Sequence, residues 1–291
     1  MDVVTPNVFL FPVIKMTKHT KLATTLAFGL GAWGCSADVS SSGRLVIIGG
    51  ALSAENAEVY NAVVEGRDGE GPICVVPTAS SDAEEAMQRA VERITQYGGP
   101  ASASGILIST ETPERAWEPA TAAQMDTCSG FYFTGGSQSR IIDVFLPSGD
   151  KTLAYEALMK RWREGAVVAG SSAGAAMMSQ TMISGGSSRE AIAHGIAKEP
   201  DADGVQLRGG MGFFAPALID QHFLARGRIG RLLVSVINQE SPMIGFGIDE
   251  NTALIVDGDS ASVAGASGVV VVDGRHIDPV GSHMAEGLVV N

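Results

Sequence analysis

Cysteine is scarce, at three in 291 residues, which excludes a scaffold built on disulfides. Cations are short too: 20 Lys and Arg stand against 32 Asp and Glu, a formal net charge of −12. That balance excludes the electrostatic footprint of a nucleic-acid binder. The uncharged stretch Leu22–Leu30 is too short for a bilayer, which takes about 20 apolar residues. No H-E-x-x-H or C-x-x-C spacing occurs, so no metal centre or other cofactor is expected. Internal repeats are missing as well. What remains is a chain with 45% apolar and 18% charged residues and 36 glycines, the balance of a globular α/β enzyme rich in tight turns.

The N-terminus differs from the rest. A basic stretch, Met16 to Lys21, precedes the uncharged run, and Gly34-Cys35 and a Ser/Gly-rich segment follow. That order reads as an export signal, with Met16 as the working start. Cys35 after Gly34 suggests a lipoprotein site and membrane attachment through a lipid on Cys35. Ala32-Trp33-Gly34 also fits ordinary cleavage and secretion. Residues 1–43 are therefore expected to be a signal and linker, and residues 44–291 a single domain, in the periplasm, on the outer membrane or outside the cell.

From Arg44 onward, short apolar runs alternate with helical patterns, the signature of a mostly parallel sheet between helices. Leu45–Ile48 and Ile73–Val76 are β-branched and non-alternating, as in strands buried on both faces. Further strands are expected at 105–109, 130–134 and 166–169. Ser81-Asp82-Ala83-Glu84 reads as a capping box opening a helix to Tyr97, and residues 150–164 as another helix. Residues 185–210 read as a long loop. The short runs at 244–248, 253–256, 262–263 and 269–272 suggest antiparallel hairpins at a sheet edge.

The strongest chemical signal is Gly170-Ser171-Ser172-Ala173-Gly174, a G-x-S-x-G that follows an apolar strand and opens a helical run. This is the pattern of a nucleophile elbow, where small flanking residues let the chain turn sharply and expose the serine. Ser172 is the expected nucleophile, and the Ala173 amide an oxyanion donor. His222, after Ile219-Asp220-Gln221, is the expected base, because a neutral imidazole can take the serine proton. Asp249 and Glu250 follow an apolar strand and point to opposite faces, so one of them orients His222. Glu250 is preferred and Asp249 is the alternative. In Thr134-Gly135-Gly136-Ser137-Gln138 the glycine pair allows a close backbone approach, with Gly136 the second oxyanion donor. Its lack of a P-loop lysine weakens a phosphate-cradle reading. Arg226, Arg228 and Arg231 can fork onto a substrate carboxylate; exposed positions on a helix are the plainer alternative. Cys74 and Cys128 read as core thiols, with a disulfide between them left open for an oxidising compartment.

The sequence resembles the cyanophycinases and the wider serine peptidase family that includes peptidase E-type aspartyl dipeptidases. The resemblance runs from about Gly43 to Asp273. It is carried by LVIIGG at 45–50, VVPTAS at 75–80, FTGGSQ at 133–138, GSSAGA at 170–175, DQHF at 220–223 with spaced arginines at 226–231, and GIDENTAL at 247–254. It implies a three-layer α/β sandwich, class I glutamine-amidotransferase-like, in a homodimer. It also implies an exopeptidase that cuts multi-arginyl-polyaspartate to β-aspartyl-arginine. Ser172, His222 and Glu250 become its triad, and Gln138, Asp220, Gln221, Arg226, Arg228 and Arg231 its substrate pocket. Ser137 departs from the Asp or Asn usual in the family, so substrate preference can differ. The competing readings are a dipeptidase for short aspartyl or isoaspartyl peptides, and an inactive peptide-binding surface lipoprotein.

Overall fold

The computed structural model describes residues 13–16, 21–22, 42–200, 202–215, 217–238 and 244–275. The strands are β1 (Val13–Met16), β2 (Lys21–Leu22), β3 (Leu45–Ile48), β4 (Ile73–Val76), β5 (Ala103–Gly105), β6 (Gly130–Phe133) and β7 (Val167–Ser171). They continue with β8 (Thr181–Gly185), β9 (Gln206–Gly209), β10 (Leu218–Gln221), β11 (Ile244–Ile248), β12 (Thr252–Asp257), β13 (Ser260–Gly265) and β14 (Val269–Asp273). The α-helices are α1 (Ala57–Glu65), α2 (Ala83–Gly98), α3 (Pro119–Asp126), α4 (Gln138–Phe145), α5 (Leu153–Arg163), α6 (Ala173–Ala176), α7 (Ser188–His194) and α8 (Ile229–Ile237).

The main sheet runs β2-β13-β12-β3-β7-β6-β4-β5. Its β3, β7, β6, β4 and β5 are mutually parallel, and the β12–β13 hairpin lies antiparallel against β3. Both faces of this sheet are covered, and β3 shows how. Its Leu45 and Ile47 belong to the core shared with α3, α4 and α5, whereas Val46 and Ile48 belong to the core shared with α1 and α2. A strand with two buried faces has no polar positions to alternate with, hence its unbroken apolar run. The expected three-layer α/β sandwich with a mostly parallel sheet is the architecture found.

Several expectations are corrected in detail. The C-terminal runs do not all form edge hairpins: β10, β11 and β14 build a second sheet, in which β11 is parallel to β10 and antiparallel to β14. Alternate residues of that sheet separate two cores, Val269 and Val271 facing the main one and Val270 and Val272 facing α8. Residues 185–210 are not a plain loop, because α7 and β9 lie within them and β9 pairs antiparallel with β8. The true capping box is Ser187 with Glu190. Helix α2 is instead capped by Asp82, one residue beyond the expected Ser81. The strand expected at 105–109 is the shorter β5, ending at Gly105.

Within the stretch read as an export signal, β1 pairs with β14 and β2 with β13. Residues 23–41, with Cys35, lie outside the described residues, as do His19, His276 and His283. Cys74 of β4 and Cys128 after α3 form a disulfide with their α-carbons 5.8 Å apart. Among the described residues no helix is long and apolar enough to cross a membrane, and no cluster of metal-ligating side chains occurs.

Candidate active site

Strands β6, β7, β10 and β11 all deliver their carboxyl ends to one region, the usual position for a site on an open α/β sheet. Ser172 follows β7 directly, at φ 56° and ψ −107°. A non-glycine residue at positive φ is strained, and such strain collects at functional positions. The flanking glycines explain how the turn closes. A β-carbon on Gly170 would overlap the backbone of Gly174, and one on Gly174 would overlap Phe133. Helix α6 then runs for a single turn, buried throughout.

His222 follows β10, also at positive φ (50°), and only 6% of it is exposed. Its Nε2 lies 2.9 Å from Ser172 Oγ and its Nδ1 2.6 Å from Glu250 Oε1. The sequence left Glu250 and Asp249 open; the structure places Glu250 on the imidazole. With a carboxylate at Nδ1, the neutral ring keeps its proton there and presents Nε2 as the acceptor. Burial pushes the imidazole pKa below its ordinary value of 6.5. The Glu250 carboxylate works the other way, and the nearby Arg226 and Arg228 add to the lowering. The ring is therefore neutral at pH 7, the state a general base requires. The Ser172–His222–Glu250 arrangement has the geometry of a nucleophile, a base and an orienting acid, with the imidazole in hydrogen-bond reach of both partners.

Two neighbours touch the triad in ways the sequence does not show. Gly50, at φ 104°, lies so close to the His222 ring that a β-carbon there would overlap the imidazole. The Gly49 carbonyl accepts the His222 amide at 2.7 Å, and the Gly50 carbonyl accepts the Asn251 amide at 2.8 Å. The glycine pair ending LVIIGG thus ties the base to the segment carrying Glu250. The second neighbour is Gln221, placed by the resemblance in a substrate pocket. It is buried, and its Oε1 accepts from Ser172 Oγ at 3.2 Å.

A β-carbon on Gly135 would come into contact with Ser172, whereas one on Gly136, at φ 143°, would overlap the Ala79 carbonyl. Among the described residues the amides of Gly135, Gly136 and Ala173 donate to no protein acceptor. Gln138 donates from Nε2 to the Ile183 carbonyl at 2.8 Å, anchoring β8.

Two expected pocket residues are corrected. Asp220 and Arg231 are both buried and bind each other, Nε to Oδ2 at 2.7 Å and the outer guanidinium nitrogen to Oδ1 at 2.5 Å. Arg231 also donates to the Gly186 carbonyl at 2.7 Å. Neither side chain is free to take a ligand. Arg228 is partly buried, donates to the Gln221 carbonyl at 2.6 Å, and lies 3.7 Å from Asp220. Burial, with Arg231 close by, pushes its pKa down to about 10, which leaves it charged at neutral pH. Arg226 is exposed, and its guanidinium stands 3.4 Å from His222 Nε2. Of the three arginines, Arg226 is the one presented at the mouth.

Residues 45–264 match the model of peptidase family S51. The chain is 31% identical over 207 residues to a cyanophycinase of Synechococcus elongatus, covering 70% of this chain and 59% of that one. A cyanophycinase of Trichormus variabilis is 30% identical over 233 residues, covering 79% and 73% respectively. The crystal structure of a peptidase from an acI-B1 Actinobacterium superposes with a TM-score of 0.60 at 20% identity, covering 81% of this chain and 93% of that one. This last likeness speaks for the fold alone. With its elbow, triad geometry and three-quarters of its length inside the family model, the chain belongs to peptidase family S51.

Proposed function

We propose that this protein is a serine exopeptidase that hydrolyses cyanophycin to β-aspartyl-arginine, and that it works outside the cytoplasm. The observation that carries the reading is the relay from Ser172 Oγ through His222 to Glu250, at 2.9 Å and 2.6 Å. The substrate class is taken from the relatives, whose printed name is cyanophycinase.

The chemistry follows from the geometry. His222 Nε2 takes the Ser172 proton as Oγ attacks the backbone carbonyl, and Glu250 stabilises the imidazolium that forms. The negative charge developing on the carbonyl oxygen goes to the unoccupied amides of Ala173 and Gly136. Collapse of the tetrahedral intermediate breaks the C–N bond, and His222 returns its proton to the leaving amine. Water, activated by the same imidazole, then releases the acyl group from Ser172. Arg226 takes a substrate carboxylate, and a preference among substrates falls to positions such as Ser137, at the start of α4.

Work outside the cytoplasm is supported by the Cys74–Cys128 disulfide, since such bonds persist in oxidising compartments. The order of residues at 16–35, with Cys35 as a lipid site or a point just past cleavage, supports it from the sequence. A homodimer belongs to the same reading.

Incubating the purified protein with insoluble cyanophycin and analysing the soluble fraction by mass spectrometry tests the proposal. Release of β-aspartyl-arginine is expected. Cleavage of short aspartyl or isoaspartyl peptides with the polymer untouched would move the activity to a dipeptidase. No cleavage of either would leave the binding-protein reading.

A further inference from the structure

Asp249 is the carboxylate that His222 does not use. Its Oδ1 accepts the backbone amides of Leu224 and Ala225, both at 3.1 Å, and its Oδ2 accepts the Ser267 hydroxyl at 2.9 Å. Burial raises its pKa, but bonds from the amides of Ala225 and Glu250, the Ser267 hydroxyl and the Leu224 amide outweigh that, so the carboxyl sits below its ordinary value. Leu224 and Ala225 open the exposed turn that carries Arg226. The far end of the turn is held separately. There the Ser188 hydroxyl donates to the Gly227 carbonyl at 2.6 Å and accepts the amides of Gly230 at 3.1 Å and Arg231 at 3.3 Å. Between these clamps Arg226 pairs with no carboxylate among the described residues, and its guanidinium stands beside His222 Nε2.

We propose that Asp249 is a positioning residue, which holds the 224–227 turn so that Arg226 receives the carboxylate of the substrate. The proposal rests on the reading of this site as a peptidase. Its physics is simple. An arginine on a loose turn must be ordered each time a substrate binds, and that ordering weakens binding; a turn already fixed by a carboxylate on two amides avoids the loss. Asp249 sits one residue before the triad acid and uses the same β11 end, so one strand terminus orients both the base and the anion-binding arm.

The test is a pair of β-aspartyl-arginine oligomers, one with free carboxylates and one with every carboxylate amidated, assayed on the full chain. Asp249→Ala is expected to raise KM about tenfold on the free oligomer while kcat falls less than about threefold. On the amidated oligomer its KM should match wild type. Asp249→Asn keeps an acceptor for the two amides and should restore the wild-type KM. In an Arg226→Ala background, Asp249→Ala should add nothing further, because the two act on one contact. An equal KM rise on both oligomers, or additive effects of the two changes, would overturn the proposal. Should wild type cleave neither oligomer, the cyanophycin reading fails by itself, and amide exchange decides the clamp. Faster exchange in Asp249→Ala confined to the 224–227 turn would uphold it, and unchanged exchange would overturn it.

Discussion

The Ser172 hydroxyl has one proton and two acceptors within reach, His222 Nε2 at 2.9 Å and Gln221 Oε1 at 3.2 Å. Only the first can carry the proton away, so Ser172→Ala should lower kcat by roughly 10⁴-fold or more with the thermal midpoint kept; steady-state kinetics beside a thermal melt checks both. The pH profile reports the base. Because burial and the two arginines hold the His222 pKa below 6.5, kcat/KM should stay level as pH falls through that value and drop only below it. Arg226→Gln removes one lowering influence and should move the acid limb upward. Glu250→Gln removes the raising one and should move it downward, at a much reduced rate. Movement in the opposite direction would mean that the assayed group is not His222. Ser172 and Glu250 were legible in the sequence, the first from G-x-S-x-G after a strand, the second as one of two neighbouring carboxylates. Which carboxylate reached the ring was not legible, since that depends on how β11 ends relative to β10.

At the scale of elements, close approach decides function. The glycines of the elbow exist because β7 and α6 nearly touch, and Gly50 exists because the end of β3 lies against the imidazole. Gly50→Ala, with its strained φ and added methyl, should cut kcat/KM by at least about tenfold, a loss read by kinetics and by displacement of the His222 ring resonances. Gly50 carries no chemical group, so the sequence marks it only as the end of the LVIIGG motif after a strand, with no sign of its contact with the imidazole. The Asp220–Arg231 pair was hidden for the opposite reason. Both residues look like ligands in a sequence, and only burial shows them bound to each other. Arg231→Met would leave Asp220 charged and without its main partner, at a cost of about 3–5 kcal/mol, and should lower the midpoint of denaturant unfolding correspondingly. Helix α7 is hidden in the sequence although Ser187 and Glu190 form the same S-x-x-E pattern as Ser81 and Glu84. The surrounding glycines and polar residues outweighed two turns of helix.

For the whole molecule, the parallel core was the most legible part, because strands covered on both faces must be continuously apolar. The second sheet was not, since the C-terminal runs look alike whether they pair along one edge or fold into a sheet of their own. The disulfide joins residues 54 apart through the main core. Loop-closure entropy puts its contribution at about 4 kcal/mol. Replacing Cys74 and Cys128 together by Ala should lower the unfolding midpoint, and intact mass under non-reducing conditions should be two hydrogens lighter than after reduction. The role of Ser172 as nucleophile can be tested without any assumption about the substrate. A fluorophosphonate probe, followed by peptide mapping, reads the activated serine of a hydrolase directly. A single adduct is expected, on Ser172, lost in His222→Ala; an adduct on another serine, or equal labelling of Ser172 without His222, would rule out Ser172 as the nucleophile that His222 activates.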